Sequence, residues 1–222
     1  MENDNVSDEA IAKTQSKIGI WMVVLFLALA LFVFFMIKSQ GENIDKLYFE
    51  YNGITFAPSK TGVGYDMQFF INDAQYPVIM NLRNDPRELE DIPIDIDKVK
   101  NMIIGKSQIY ITINATANLT GRTTIAAKEI DYFIDNPYLY DIPVNSAFLA
   151  PTTEAGPKID KQVIKTCEDS NENVTVIWLR LGDETAVFEE DGCVIVQGKT
   201  PDEMEIIRAA DRLYLTMMGI MN

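Results

Sequence analysis

Cys167 and Cys193 are the only two cysteines of the 222-residue chain, and they stand 26 positions apart. They lack C-x-x-C spacing, so a redox couple is not indicated. Outside a reducing compartment the pair reads as a disulfide closing a loop of about 27 residues, with two buried free thiols as the alternative. Histidine is absent, which removes the commonest general base and the commonest transition-metal ligand and excludes His-dependent triads and zinc sites. Carboxylates are therefore the remaining source of acid–base or cation chemistry. Glu88, Glu90, Asp91, Asp95 and Asp97 form one acidic group and residues 189–191 another. Neither has EF-hand spacing, and Ile92, Pro93, Ile94 and Ile96 interleave the first, so its acids read as a solvated face. Arg208, Asp211 and Arg212 share the last helical stretch. Exposed, such pairs contribute tenths of a kcal/mol; buried, Asp211 or Arg212 would specify how that helix docks. These groups assign no catalytic residue, no cofactor-binding residue and no metal ligand, and no cofactor is expected.

Asn114, Asn118 and Asn173 each open an Asn-x-Ser/Thr glycosylation acceptor, as does Asn5 near the N-terminus. The formal net charge is −14, of which residues 1–17 contribute −2 and Lys38 +1, leaving −13 on the remainder. A surface of that sign repels phosphate backbones and anionic head groups, so nucleic acid is excluded as a partner.

The elements that must position these residues begin with 18–37, IGIWMVVLFLALALFVFFMI, a run free of charged or strongly polar side chains. At about 1.5 Å per residue it makes roughly 30 Å of helix, which predicts one N-terminal transmembrane helix with the lipid bilayer as its partner. Lys13 and Lys17 before it lean the N-terminus toward the cytoplasm, and no A-x-A site follows, so the run reads as an uncleaved signal anchor. The expected organisation is a disordered cytoplasmic tail (1–17), a span (18–37) and an extracytoplasmic α+β domain (38–222). The polar, proline-containing stretch 151–161 reads as a surface loop or as a divide between two subdomains.

Within 38–222 the expectation is a mixed domain of antiparallel hairpins and a meander with two or three packed helices. Asn52-Gly53 between two short apolar runs is the strongest hairpin signal. A second hairpin is expected from 65–72 and 76–83, with Pro77 at an edge or a strand start. The acidic 88–97 stretch should lead into a short helix ending near Gly105, followed by a strand at 107–115 and a helix at 123–134. Runs at 174–181, 185–188 and 193–197, separated by turn residues, read as an antiparallel meander. Thr200 and Glu203 then form a capping box for a helix over 201–218, with Gly219 as its stop.

The runs Val163-Ile164-Lys165-Thr166-Cys167 and Gly192-Cys193-Val194-Ile195-Val196-Gln197-Gly198 carry a resemblance, together with Ala209-Ala210-Asp211-Arg212-Leu213 and Gly219-Ile220-Met221. They are similar to the C-terminal signature of an uncharacterised family of single-pass membrane proteins from small-genome archaea. That resemblance implies an archaeal envelope setting and brings no activity or ligand. The expected function is accordingly a membrane-anchored, non-catalytic extracytoplasmic module that binds or assembles with envelope proteins, with Tyr138 and Tyr140 as a contact patch or as core residues. The alternative is a tethered enzyme or small-molecule receptor with a carboxylate-lined cleft between the strand–helix halves.

Overall fold

The computed structural model describes residues 22, 24–36, 48–70, 77–150 and 163–222. The chain divides into two units, Met1–Tyr48 and Phe49–Asn222. In the first, helix α1 is described over 24–36, a stretch of about 20 Å set against the roughly 30 Å of a bilayer core. The transmembrane helix expected over 18–37 is thereby corrected: among the described residues no helix is long and apolar enough to cross a membrane. The tail 1–17 and residues 18–21, 23 and 37 lie outside the described residues, as does the stretch 151–161.

The second unit is α+β, with two sheets. Strands β1 (Phe49–Tyr51) and β2 (Ile54–Pro58) form the hairpin announced by Asn52-Gly53. Both turn residues take positive φ, 48° and 81°, as a two-residue turn matched to strand twist requires. Strands β3 (Tyr65–Phe69) and β4 (Val78–Leu82) continue the antiparallel sheet in the order β1-β2-β3-β4. Pro77 stands just before β4, an edge strand, where its missing N–H breaks no ladder. Phe56, Met67, Met80 and Leu82 are buried, and Phe49 stacks on Phe56 with ring centroids 5.3 Å apart.

Helix α2 (Ile96–Ile103) precedes Gly105, whose φ of 78° ends it as expected. Strand β5 (Gln108–Ile113), helix α3 (Gly121–Ile134) and strand β6 (Val144–Phe148) form a parallel strand–helix–strand unit. The sheet is completed by β7 (Val174–Gly182), β8 (Ala186–Glu190) and β9 (Cys193–Lys199), in the order β6-β5-β7-β9-β8. Helix α4 (Met204–Met217) packs back over β9.

The antiparallel meander is corrected by this order. Strand β9 lies between β7 and β8, parallel to β7 (Trp178↔Ile195) and antiparallel to β8 (Phe188↔Ile195). The burial of the strands explains the exchange. Residues 193–198 are buried without alternation, as in a strand covered on both faces, whereas β8 ends in the half-buried Phe188, Glu189 and Glu190. Local turn signals on either side of β8 could not report which neighbour β9 would choose.

Cys167 and Cys193 form a disulfide with Cα atoms 4.9 Å apart, tying a short 3-10 turn (Cys167–Asp169) to the first residue of β9. Reduction should cost about 3–4 kcal/mol through the loop entropy restored to the unfolded chain. Urea midpoints measured with and without reductant check this; equal midpoints would contradict it.

Candidate functional site

Three elements of the second unit enclose a cleft of about 420 Å³, within the lower range of small-molecule sites. Helix α3 supplies Thr124, Ile125, Lys128, Glu129 and Tyr132, whose spacings of three and four put them on one helical face. Helix α4 supplies Ala210, Asp211 and Tyr214, and the β4 edge contributes Met80, Asn81 and, just beyond it, Arg83. The wall is mostly apolar, with a few convergent polar groups.

Those polar groups are unevenly satisfied. Arg83 Nε donates to Glu129 Oε1, while Glu129 Oε2 is buried without a partner among the described residues. Asp211 is 2% exposed. Its Oδ2 accepts from the Asn84 backbone N–H at 2.9 Å and from Asn84 Nδ2 at 2.7 Å. Tyr214 is 7% exposed and its hydroxyl has no partner among the described residues. Its ring meets Phe133 at 4.6 Å between centroids, which fixes the side chain against α3. A buried hydroxyl left unmade costs on the order of 1–3 kcal/mol, so this is an unusual place for a silent tyrosine.

Burial sets the titration of the site. It pushes the Asp211 carboxyl up to about 8, reinforced by the nearby Glu129 charge and opposed by the Asn84 and Arg83 N–H donors. Glu129 is also raised by burial, against the lowering effect of Arg83. Tyr214 is raised too, by burial and then by the Asp211 charge. At neutral pH the cleft therefore holds Asp211 as a protonated acid, beside the Glu129 side chain that Arg83 pairs.

The residues singled out by sequence fall elsewhere, with one exception. Asp211 lines the cleft, and Arg212 is buried and forms no ion pair with a side-chain acid among the described residues, donating from Nε to Ile92 O at 3.1 Å and from Nη2 to Asn222 O at 2.6 Å. Arg208 reaches Glu205 at 2.9 Å and Asp91 at 3.6 Å. Glu88, Glu90, Asp91 and Asp97 are exposed, and Asp95 takes Lys98 at 2.9 Å. Tyr138 is exposed, whereas Tyr140 packs on Phe133 and donates to Met217 O at 2.9 Å. Asn114 and Asn118 lie in the loop between β5 and α3, and Asn173 is exposed just before β7. The Thr175 that completes the Asn173 acceptor is buried in β7 with its hydroxyl on Met102 O.

The capping box expected from Thr200 and Glu203 is replaced. Helix α4 starts at Met204, and Glu203, at its N-cap, makes no side-chain bond to it. The Glu203 carboxylate instead accepts from Thr120 N at 2.8 Å, Thr123 N at 3.3 Å and the Thr123 hydroxyl at 2.7 Å. It thus caps α3 across the fold, where orphan amide groups and the helix dipole favour a negative charge. Burial alone would raise its pKa, but the Thr123 and Thr120 bonds outweigh it and the net direction is down. Glu203→Ala should cost about 2–3 kcal/mol by orphaning these donors, and Glu203→Gln about half as much; equal melting temperatures for all three proteins would refute the tie.

Arg83, Asn84, Glu129 and Tyr214 were not marked by sequence. One signal existed: Asp211 interrupts the buried run Ile206, Ile207, Ala209, Ala210 and Leu213, and Tyr214 follows it by three positions. An acid on the apolar side of a helix demands a polar neighbour, although it does not say which.

No protein-family model, no curated protein and no solved structure matches this chain.

Proposed function

We propose that the protein is a non-catalytic binding module of an extracytoplasmic, oxidising compartment, and that the cleft between α3, α4 and β4 receives a small molecule. The observation that carries this reading is a largely apolar cleft of about 420 Å³ whose lining residues Tyr214 and Glu129 each hold a solvent-shielded oxygen, Oη and Oε2, without a partner among the described residues. A ligand that hydrogen-bonds them removes a standing desolvation cost and covers apolar wall at the same time. The Cys167–Cys193 disulfide supports the oxidising compartment. Binding is favoured over catalysis by how the carboxyls are held. Asp211 Oδ2 is fixed by two donors of Asn84, and Glu129 Oε1 by Arg83. Each is thereby held as a hydrogen-bond acceptor.

Native mass spectrometry of the full chain, purified from its own cells without denaturation, tests the reading. A retained small molecule is expected, and it should be lost in Ile125→Trp, which fills the cleft from α3. Retention unchanged by that substitution, or no retained molecule, would overturn the proposal.

A further inference from the structure

We infer that the cleft selects a protonated amine carried on an apolar or aromatic body; this rests on the cleft being the binding site. Charge decides between classes of ligand. The acids facing the cavity are Glu129 from α3 and Asp211 from α4, and the cations are Arg83 beyond β4 and Lys128 from α3. Tyr132 and Tyr214 complete the titratable groups. Arg83 is spent on Glu129 Oε1. Lys128 sits at the rim, 79% exposed and 3.9 Å from Asp131, so it puts no bare charge inside.

What remains inside is acceptor capacity. Among the described residues Glu129 Oε2 is an acceptor without a donor and the Tyr214 hydroxyl oxygen has no partner, both shielded from solvent at the wall of the cleft. An ammonium offers three N–H donors and one positive charge, which answers both atoms and the excess of carboxyl over unengaged cation. A carboxylate or phosphate ligand would meet Glu129 with like charge and find Arg83 already engaged. Met80, Ile125, Tyr132 and Ala210 line the rest and suit an apolar body.

A second consequence concerns protons. Asp211 holds its proton at neutral pH because of burial and the Glu129 charge. An ammonium beside it favours the ionised form, so amine binding releases a proton from the cleft and tightens as pH rises toward 8.

Calorimetric titration of the full chain with three probes of one shape tests the assignment: phenethylamine, 2-phenylethanol and phenylacetate. Phenethylamine should bind at least tenfold more tightly than either of the others, with an apparent heat that depends on buffer ionisation enthalpy because a proton is released. Glu129→Gln should weaken phenethylamine about tenfold while leaving 2-phenylethanol within about twofold. Phenylacetate or 2-phenylethanol binding as tightly as the amine would overturn the amine assignment and leave the cleft a binding site. No heat from any of the three would overturn the cleft reading itself.

Discussion

Asp211→Asn should remove most of a pH dependence of stability that the natural chain shows between about pH 4 and pH 8. The carboxyl sits near 3.8 in the unfolded chain and near 8 in the folded one. Below the unfolded value both states hold the proton and stability is complete. Across the window the folded state keeps a proton that the unfolded chain has released, so stability falls by about 1.4 kcal/mol per pH unit, and the loss is complete once pH passes the folded value. Asparagine at 211 removes the titration while its side-chain oxygen can still accept from Asn84. The variant should therefore match the natural chain at acid pH and exceed it by several kcal/mol near pH 9. Glu203 acts in the opposite sense: its contribution is full above about 4.5 and is lost as pH falls through its depressed folded value. The slope above about pH 5 comes from the carboxyls that burial raises, Asp211 foremost, with Glu129 and Asp131 in the same direction. Urea titrations at three pH values measure it; parallel curves for the two proteins would show that Asp211 is not shielded as described.

Gly198→Ala should be among the most damaging single methyls in the second unit, alongside Gly64→Ala, whose Cβ would lie 2.1 Å from Leu82 O at a φ of 74°. A Cβ at 198 would lie 2.4 Å from Ile206 N and 2.8 Å from Glu205 C, both backbone atoms of the first turn of α4. Backbone cannot swing aside as a side-chain tip can, so α4 must lift from β9 or the strand must bend. A loss of about 3 kcal/mol or more is expected. Because α4 carries Asp211 and Tyr214, the cleft should lose its shape along with the stability. Gly121→Ala is the natural control. Nothing lies within 4 Å of its Cβ position, and alanine at the start of α3 should be neutral or stabilising by less than about 1 kcal/mol. Thermal melts of both variants decide the matter, and equal effects would remove close backbone approach as the reason for a glycine at 198.

Elements written in local chemistry were legible in the sequence. Asn52-Gly53 supplied a turn, Ile109, Ile111 and Ile113 a strand, and 123–134 a helix stopped by Asp135 and Asn136, although the helix begins earlier, at Gly121, with Thr120 as its N-cap. Pairing between distant segments was not legible. Runs 174–181, 185–188 and 193–197 looked like a meander with 185–188 in the middle, yet β9 pairs directly with β7, and that parallel pairing leaves no mark in either run except the uninterrupted burial of β9. Length on its own misled at 18–37, where the described helix covers only 24–36.

The site was hidden for the same reason as the sheet order. Arg83 and Glu129 meet across 46 positions, and Asn84 and Asp211 across 127. Neither distance produces a motif. Glu129 read as one member of a helical face, and Tyr214 carried no reading of its own. Glu203 was read as a cap and is one, although for α3 and not for the helix it precedes.

The most direct measurement is the side-chain carboxyl carbon shift of Asp211, followed by NMR on the full chain from about pH 4 to about pH 10 with and without phenethylamine. A midpoint near 8 in the free protein is expected, moved lower by the amine. A midpoint near 4, indifferent to the amine, would mean that water reaches the carboxyl and that the cleft is no binding site for a cation.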